Sequence, residues 1–199
     1  MKGHSTGKRI GIDLDDVLLD LNPALCAYHN TRHGTNFTKE GVTDYDLWKM
    51  WNCTKEEFFE RVDDFYDSPE HSDVNPISGA ETAIRVLSEH HDLYVITAKP
   101  ERLRGMTEEW INRHFPGMFR DIRFTGGYRR DDDGHVRKSD ICREIGIRTF
   151  IDDALSNVED LAPVMDQVFL LDSPWNRRDI PYVSVTRVFS WDDILHRLT

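Results

Sequence analysis

Cysteine is scarce in this chain. Cys26, Cys53 and Cys142 are the only three, they lie far apart, and no C-x-x-C pair occurs. A disulfide framework and a zinc knuckle are both excluded on that count, and a reducing cytoplasm is the expected compartment. Long apolar runs are missing too. None approaches the ~20 residues that cross a bilayer, so no membrane partner is expected. Residues 1–8 are polar, contain glycine and lack an apolar centre, which reads as a frayed leader rather than a signal peptide. Positive charge is in deficit: 25 Lys and Arg stand against 36 Asp and Glu, a net charge of −11. A nucleic-acid polymer is normally held by a basic face and is disfavoured as a partner. A small anion remains open to a site where a cation and a few basic side chains neutralise it. Internal repeats and low-complexity segments are absent as well.

What is present suits one domain with a sizeable core: 199 residues, 39% hydrophobic and 31% charged. The chain is organised around Arg9 to Asp20. Ile10, Gly11 and Ile12 make a short buried strand, and Asp13, Asp15 and Asp16 stand at its end, with Asp20 shortly after. Successive side chains of a strand point to opposite faces, so Asp13 and Asp15 share a face if the strand continues. Two carboxylates side by side repel and are costly to desolvate, which a cation or a two-carboxylate reaction offsets. A polar strand end running into a loop is the plainer account of the same residues.

A helix is expected over 23–32, with Asn22 as N-cap, Pro23 in the first turn and Gly34 ending it. His29 and His33 lie four apart as a metal pair can, but without the Glu of H-E-x-x-H they read as solvent-facing. Residues 35–73 are rich in aromatics, and Thr54 with Glu57 forms a capping box opening a helix through about Asp63. This stretch reads as a small helical subdomain whose rings are mostly its own core. From Asn75 onward helix and strand alternate: helices over 80–90, 101–114, 139–145 and 191–198, strands over 92–96, 122–124, 148–151 and 167–171, and a charged turn over 129–134. Such alternation predicts a parallel sheet with helices on both faces, whose ligands bind beyond the carboxyl ends of the strands.

That rule gathers Asp13, Asp15, Thr97, Lys138, Asp152 and Asp153 along one edge. Carboxylates at two strand ends suit a hard, oxygen-seeking cation such as Mg2+. A threonine hydroxyl and a lysine charge suit a transferring phosphoryl group, a carboxylate can attack phosphorus, and a second can move the protons. Each residue taken singly has a blander role: Thr97 ends a strand, Lys138 is solvated, and the Asp152-Asp153 pair caps the next helix.

Together the strand-end signals resemble the haloacid dehalogenase-like hydrolase superfamily, whose motifs run D-x-D-x-T/V, a strand-end Thr or Ser, a Lys, and a strand-end D-D. Here they are Asp13-Leu14-Asp15-Asp16-Val17, Ile96-Thr97-Ala98, Lys138, and Phe150-Ile151-Asp152-Asp153. The resemblance implies an α/β fold, a Rossmann-like parallel sheet with a small helical cap inserted after the first strand: core residues 8–20 and 75–199, cap residues 21–74. It implies Asp13 as nucleophile and Asp15 as general acid/base. Mg2+ would be held by Asp13, the Asp15 backbone carbonyl and Asp152, with Asp153 supporting. Thr97, Ala98 and Lys138 would hold the phosphoryl group.

Within that superfamily the chain looks most like the 5'-(3')-deoxyribonucleotidase group and its microbial relatives. The likeness lies in the opening motif, in Pro76-Ile77-Ser78-Gly79-Ala80, and in Leu171-Asp172-Ser173-Pro174-Trp175-Asn176-Arg177 followed by Phe189-Ser190-Trp191-Asp192-Asp193. Asp16 departs from it, standing where a glycine is common, and Arg137 competes for the lysine's role. The implied activity is a Mg2+-dependent phosphomonoester hydrolase working through an aspartyl-phosphate, a 5'-nucleotidase on (deoxy)nucleoside monophosphates. Phe37, Tyr45, Trp48 or Trp51 would stack on a base, and Arg102 or Arg177 would meet polar groups. The alternatives are a phosphatase or phosphotransferase on another small phosphorylated metabolite, a dehalogenase, which Asp15 disfavours for want of a leaving oxygen, and a nucleotide-binding protein without catalysis. The oligomeric state is not legible.

Overall fold

β1 (Arg9–Ile12), β2 (Asp92–Thr97), β3 (Phe119–Phe124), β4 (Thr149–Asp152), β5 (Gln167–Leu171) and β6 (Val185–Val188) form one parallel sheet in the order β3-β2-β1-β4-β5-β6. This computed structural model describes residues 7–44, 47–127 and 136–199. The turn expected over 129–134, and Tyr45, lie outside them. The helices are α1 (Leu21–His33), α2 (Leu47–Met50), α3 (Lys55–Tyr66), α4 (Pro69–Ser72), α5 (Ala80–His90), α6 (Arg104–His114), α7 (Lys138–Ile145), α8 (Leu155–Leu161) and α9 (Trp191–Leu198). Among the described residues of 21–74, every regular element is helical. No helix is long and apolar enough to cross a membrane.

Strand periodicity divides the core into two layers. Ile10, Ile12, Leu93, Val95, Phe169 and Leu171 face one side, where Ile84 and Leu87 of α5 and Trp191 and Ile194 of α9 pack. Ile96, Phe150, Val168 and Leu170 face the other, against Ile141 and Cys142 of α7 and Val158 and Leu161 of α8. Each fully buried side chain of this kind contributes about 1.5–3 kcal/mol. Gly11 sits at the crowded centre: a Cβ there would run into the Phe150 ring. Trp191 also donates its indole N–H to the Val17 carbonyl at 2.9 Å, fastening α9 to the loop after β1.

The expected elements largely stand where the patterns put them, with specific differences. The α1 helix begins at Leu21, not Pro23, because Asn22 does not cap it. The Asn22 backbone N–H and side-chain amide both turn back to the Asp16 carboxylate, at 3.1 and 2.6 Å. Asp20, at the cap position, gives its carboxylate to Lys39 instead, 2.8 Å away. Gly34 does close α1 in the left-handed conformation, φ +64°. The Thr54–Glu57 capping box is made in both directions, at 3.2 and 2.8 Å. The strand β6 has no pattern of its own: Val-Thr-Arg-Val is too short to announce itself and is fixed by pairing with β5. His29 is buried rather than solvent-facing. It is stacked between His33 and Trp51, ring centroids 4.4 and 4.0 Å away, and bonded to Thr35 and Arg61. Burial pushes its pKa down to about 4, and His33 and Arg61 add to the fall.

Candidate active site

The chain leaves β1 toward β2 and β3 on one side, then returns to place β4 to β6 on the other. The order therefore reverses between β1 and β4, and in such sheets that reversal opens a crevice beyond the strand ends. Asp13 follows β1 directly, its backbone N–H bonded to the Ile151 carbonyl at 2.9 Å, and Asp152 ends β4. Adjacent strand ends thus bring two carboxylates 139 positions apart in sequence into one crevice.

Lys138, the first residue of α7, reaches into it. Its Nζ lies 2.9 Å from Asp13 Oδ1 and 2.8 Å from Asp152 Oδ2, and all three side chains are buried. Burial pushes the Asp13 carboxyl up to about 7; Lys138 opposes the rise, while Asp152 and Asp15 add to it. The lysine's ammonium is held above its ordinary pKa by Asp13 and Asp152, which outweigh the opposing effect of burial. Asp152 is further fixed by the Ala154 backbone N–H at 2.8 Å and by the Asn157 amide at 3.1 Å to both oxygens. Asp153 accepts the Trp175 indole N–H at 2.8 Å, and its carbonyl accepts the Asn176 amide at 2.8 Å. Arg137, the rival for the lysine's place, is exposed and paired with Asp140 at 3.1 Å.

Asp15 sits one turn past the strand, partly open to solvent, and pairs with Lys99 at 2.9 Å. Sequence reasoning missed Lys99, because a lysine two residues beyond a strand reads as a solvated charge. In fact it is 1% exposed, and its ammonium lies 4.3 Å from the centre of the Tyr66 ring. Thr97 is fully buried and its hydroxyl accepts the Lys99 backbone N–H at 3.2 Å, which leaves the O–H as a donor. Ala98 lies between them, half-buried. Asp16, taken from the sequence only as a departure, adopts the left-handed region with φ +55° and is buried. An aspartate tolerates that conformation better than most residues.

A buried group of oxygen donors is thus assembled: Asp13, Asp152 and Asp153 each offer a carboxylate oxygen within 4.8 Å of the others. With Asp15 there are four carboxylates against two ammonium groups, Lys99 and Lys138, so two negative charges remain uncompensated when all are ionised. Hard oxygen donors with two charges to balance suit a small divalent cation.

Other candidates are differently employed. Arg102 is bound to Asp63 and Asp67 of the α3 end, at 2.5 and 3.1 Å, and Arg177 to Asp172 at 3.0 Å. Trp51 is buried in the His29 stack, and Phe37 packs at its side. Trp48 lines an open groove of about 560 Å³ with Asn52, Thr54 and Glu57.

Residues 8–198 match the family described as "5' nucleotidase, deoxy (Pyrimidine), cytosolic type C protein". The 5'(3')-deoxyribonucleotidase of Bacillus subtilis is 27% identical over 194 residues, covering 96% of this chain and 98% of that protein. Among solved structures, a haloacid dehalogenase-like family hydrolase from Streptococcus pneumoniae superposes with a TM-score of 0.69 at 14% identity, covering 97% of this chain and 99% of that one. A haloacid dehalogenase family hydrolase from Deinococcus radiodurans, solved with bound phosphate and sodium, gives 0.63 at 12% identity, covering 96% and 94%. At such identities the structural likeness speaks for the fold alone.

Proposed function

The chain belongs to the cytosolic type C 5'-deoxynucleotidase family and is a phosphatase of haloacid dehalogenase-like fold, and from that premise we propose that it hydrolyses (deoxy)nucleoside monophosphates. The observation that carries the reading is the buried Asp13–Lys138–Asp152 array at the sheet's reversal, with Asp15 one step beyond it.

Asp13 is the nucleophile. Its Oδ1 is aimed by Lys138 and by the Leu14 backbone N–H at 2.8 Å, and attack on phosphorus forms an aspartyl-phosphate as the ester oxygen leaves. Asp15, partly exposed and steadied by Lys99, protonates that oxygen and then takes a proton from the water that cleaves the acyl phosphate. Thr97, Ala98 and Lys138 hold the phosphoryl oxygens. Mg2+, held by Asp13, the Asp15 carbonyl and Asp152 with Asp153 beside them, would neutralise charge on the phosphoryl group. Residues 21–74 serve as a cap that selects the substrate.

The test is a phosphate-release screen with Mg2+ over 5'- and 3'-nucleotides, sugar phosphates and phosphoamino acids. The expected profile favours deoxynucleoside monophosphates. A flat response across nucleotides beside a clear sugar-phosphate hit would overturn the substrate assignment and favour the phosphatase alternative.

A further inference from the structure

Beside Lys99, a cavity of about 30 Å³ is lined by Leu14, Leu19, His71, Thr107 and Trp110, with Ser72, Glu109 and Arg113 at its border. Three of the polar side chains on its wall are buried: His71 is 5% exposed, Lys99 1% and Thr107 3%. Neither ring nitrogen of His71 nor the Thr107 hydroxyl has a hydrogen-bond partner among the described residues. The His71 ring is held edge-on by Phe65 and Tyr66, with centroids 5.4 and 5.0 Å away, so packing fixes its plane. A buried polar atom left unpaired costs about 1–3 kcal/mol, and three of them round one cavity would be an unusual concentration of loss. A water needs at least ~10–15 Å³ and two to four polar partners, so this cavity has room and partners for one or two.

We propose that the cavity holds ordered water hydrogen-bonded to His71, Thr107 and the Lys99 ammonium, and that through it His71 is a positioning residue for Lys99 and hence for Asp15. The inference rests on the reading of Asp15 as the proton donor. The Lys99 ammonium has three N–H groups: it is ion-paired with Asp15 at 2.9 Å without an aligned hydrogen bond and lies against the Tyr66 ring, so its N–H groups are open to water. Burial, with Lys99 adding to the effect, pushes the His71 pKa down to about 3, so the ring is neutral and one nitrogen can accept from that water. A lysine stem with four rotatable bonds needs such anchors to keep one aim. His71 belongs to α4 and Lys99 follows β2, so the water ties the seating of the helical segment to the direction of the Asp15 carboxylate.

The experiment pairs a high-resolution crystal structure with a leaving-group comparison. Density for water within hydrogen-bond reach of His71 and Lys99 is expected; a cavity without it overturns the proposal. The kinetic readout is kcat/KM for a deoxynucleoside monophosphate divided by kcat/KM for p-nitrophenyl phosphate. That ratio reports the step in which the alcohol departs, and only the poorer leaving group needs a well-aimed proton. His71→Phe keeps the ring packing and deletes both nitrogens; it should lower the ratio ~10-fold, the scale of a small misplacement of a catalytic group. His71→Gln, which can still bond water, should recover most of it. Asp15→Asn serves as control and should lower the ratio further than His71→Phe. If Asp15→Asn lowers it and His71→Phe does not, or if His71→Phe slows both esters equally, the positioning role is overturned. If Asp15→Asn itself leaves the ratio unchanged, the proton-donor reading fails instead, and the positioning role with it.

Discussion

Asp16 caps a helix that begins five residues after it: its carboxylate accepts the backbone N–H of Asn22 at 3.1 Å and the Asn22 side-chain amide at 2.6 Å. A carboxylate at a helix N-terminus meets the unpaired N–H groups and the positive end of the helix dipole there. The same residue sits at φ +55°. Two substitutions separate the two effects. Asp16→Gly and Asp16→Ala both lose the cap and the ion pair to Lys39, whose Nζ lies 3.7 Å from Asp16 Oδ1, but only alanine bears the left-handed strain. Asp16→Ala should be less stable than Asp16→Gly by about 1 kcal/mol in urea unfolding. Equal stabilities would show that strain is not part of the site.

Lys138 is the only ammonium between Asp13 and Asp152 among the described residues. Lys138→Met should cost on the order of 3–5 kcal/mol in EDTA, since it leaves buried carboxylates unbalanced. Added Mg2+ should recover a larger part of the melting temperature in Lys138→Met than in the unaltered protein. No difference between the two would argue against a cation site at these carboxylates.

Asp13→Asn should abolish phosphate release, on the order of 10⁴-fold or more, as loss of a nucleophile does in enzymes where it acts as one of a unit. Its circular dichroism and melting temperature should stay near those of the unaltered chain, because the substitution removes one of the mutually repelling charges. Full retained turnover would sink the nucleophile assignment.

The pH dependence of stability has two opposed contributions. His71 and His29 have folded pKa values near 3 and 4, below the ordinary 6.5, so the unfolded chain binds protons that the folded one refuses. Their share of stability is complete above about pH 6.5 and is lost as pH falls toward 3. Asp13 and Asp16, both raised to about 7 chiefly by burial, act in the other direction: the folded chain binds their protons first, and stability falls as pH rises from about 4 to 7. Comparing His71→Phe with the unaltered protein isolates the histidine. The melting temperature of the variant should gain on the unaltered protein steadily as pH is lowered from 7 to 4. A constant gap would mean that His71 is not held neutral.

The sheet and the gathering of its strand ends were legible because apolar runs end in Asp13, Thr97 and Asp152, and the alternation of helix and strand dictates where such ends meet. What escaped the sequence depends on partners far along the chain. Asn22 looks like an N-cap until Asp16 claims its amide. His29 looks solvated until Trp51 covers it. Lys99 looks like a surface charge until Asp15 and the Tyr66 ring enclose it. The choice between Lys138 and Arg137 turns on which of two adjacent side chains faces inward at the start of α7, a matter of a hundred degrees of helix rotation.

The sheet ends on one side at β3, whose Phe119-Arg120-Asp121-Ile122-Arg123-Phe124 carries three charges in six residues. Arg120 is bound to Asp92 at 2.7 Å, and Arg123 to Asp121 and Glu144 at 2.6 and 3.1 Å. On the other side, Arg187 of β6 is clamped to Asp172 and Asn176 at 2.9 and 2.6 Å. A bare strand edge is a template on which a second chain can add by backbone pairing. Here any incoming strand would have to break ion pairs and bury charge on both flanks. The margins of the sheet thus act as gatekeepers against aggregation, and they do so far from the crevice, leaving the strand ends free to be shaped by chemistry alone.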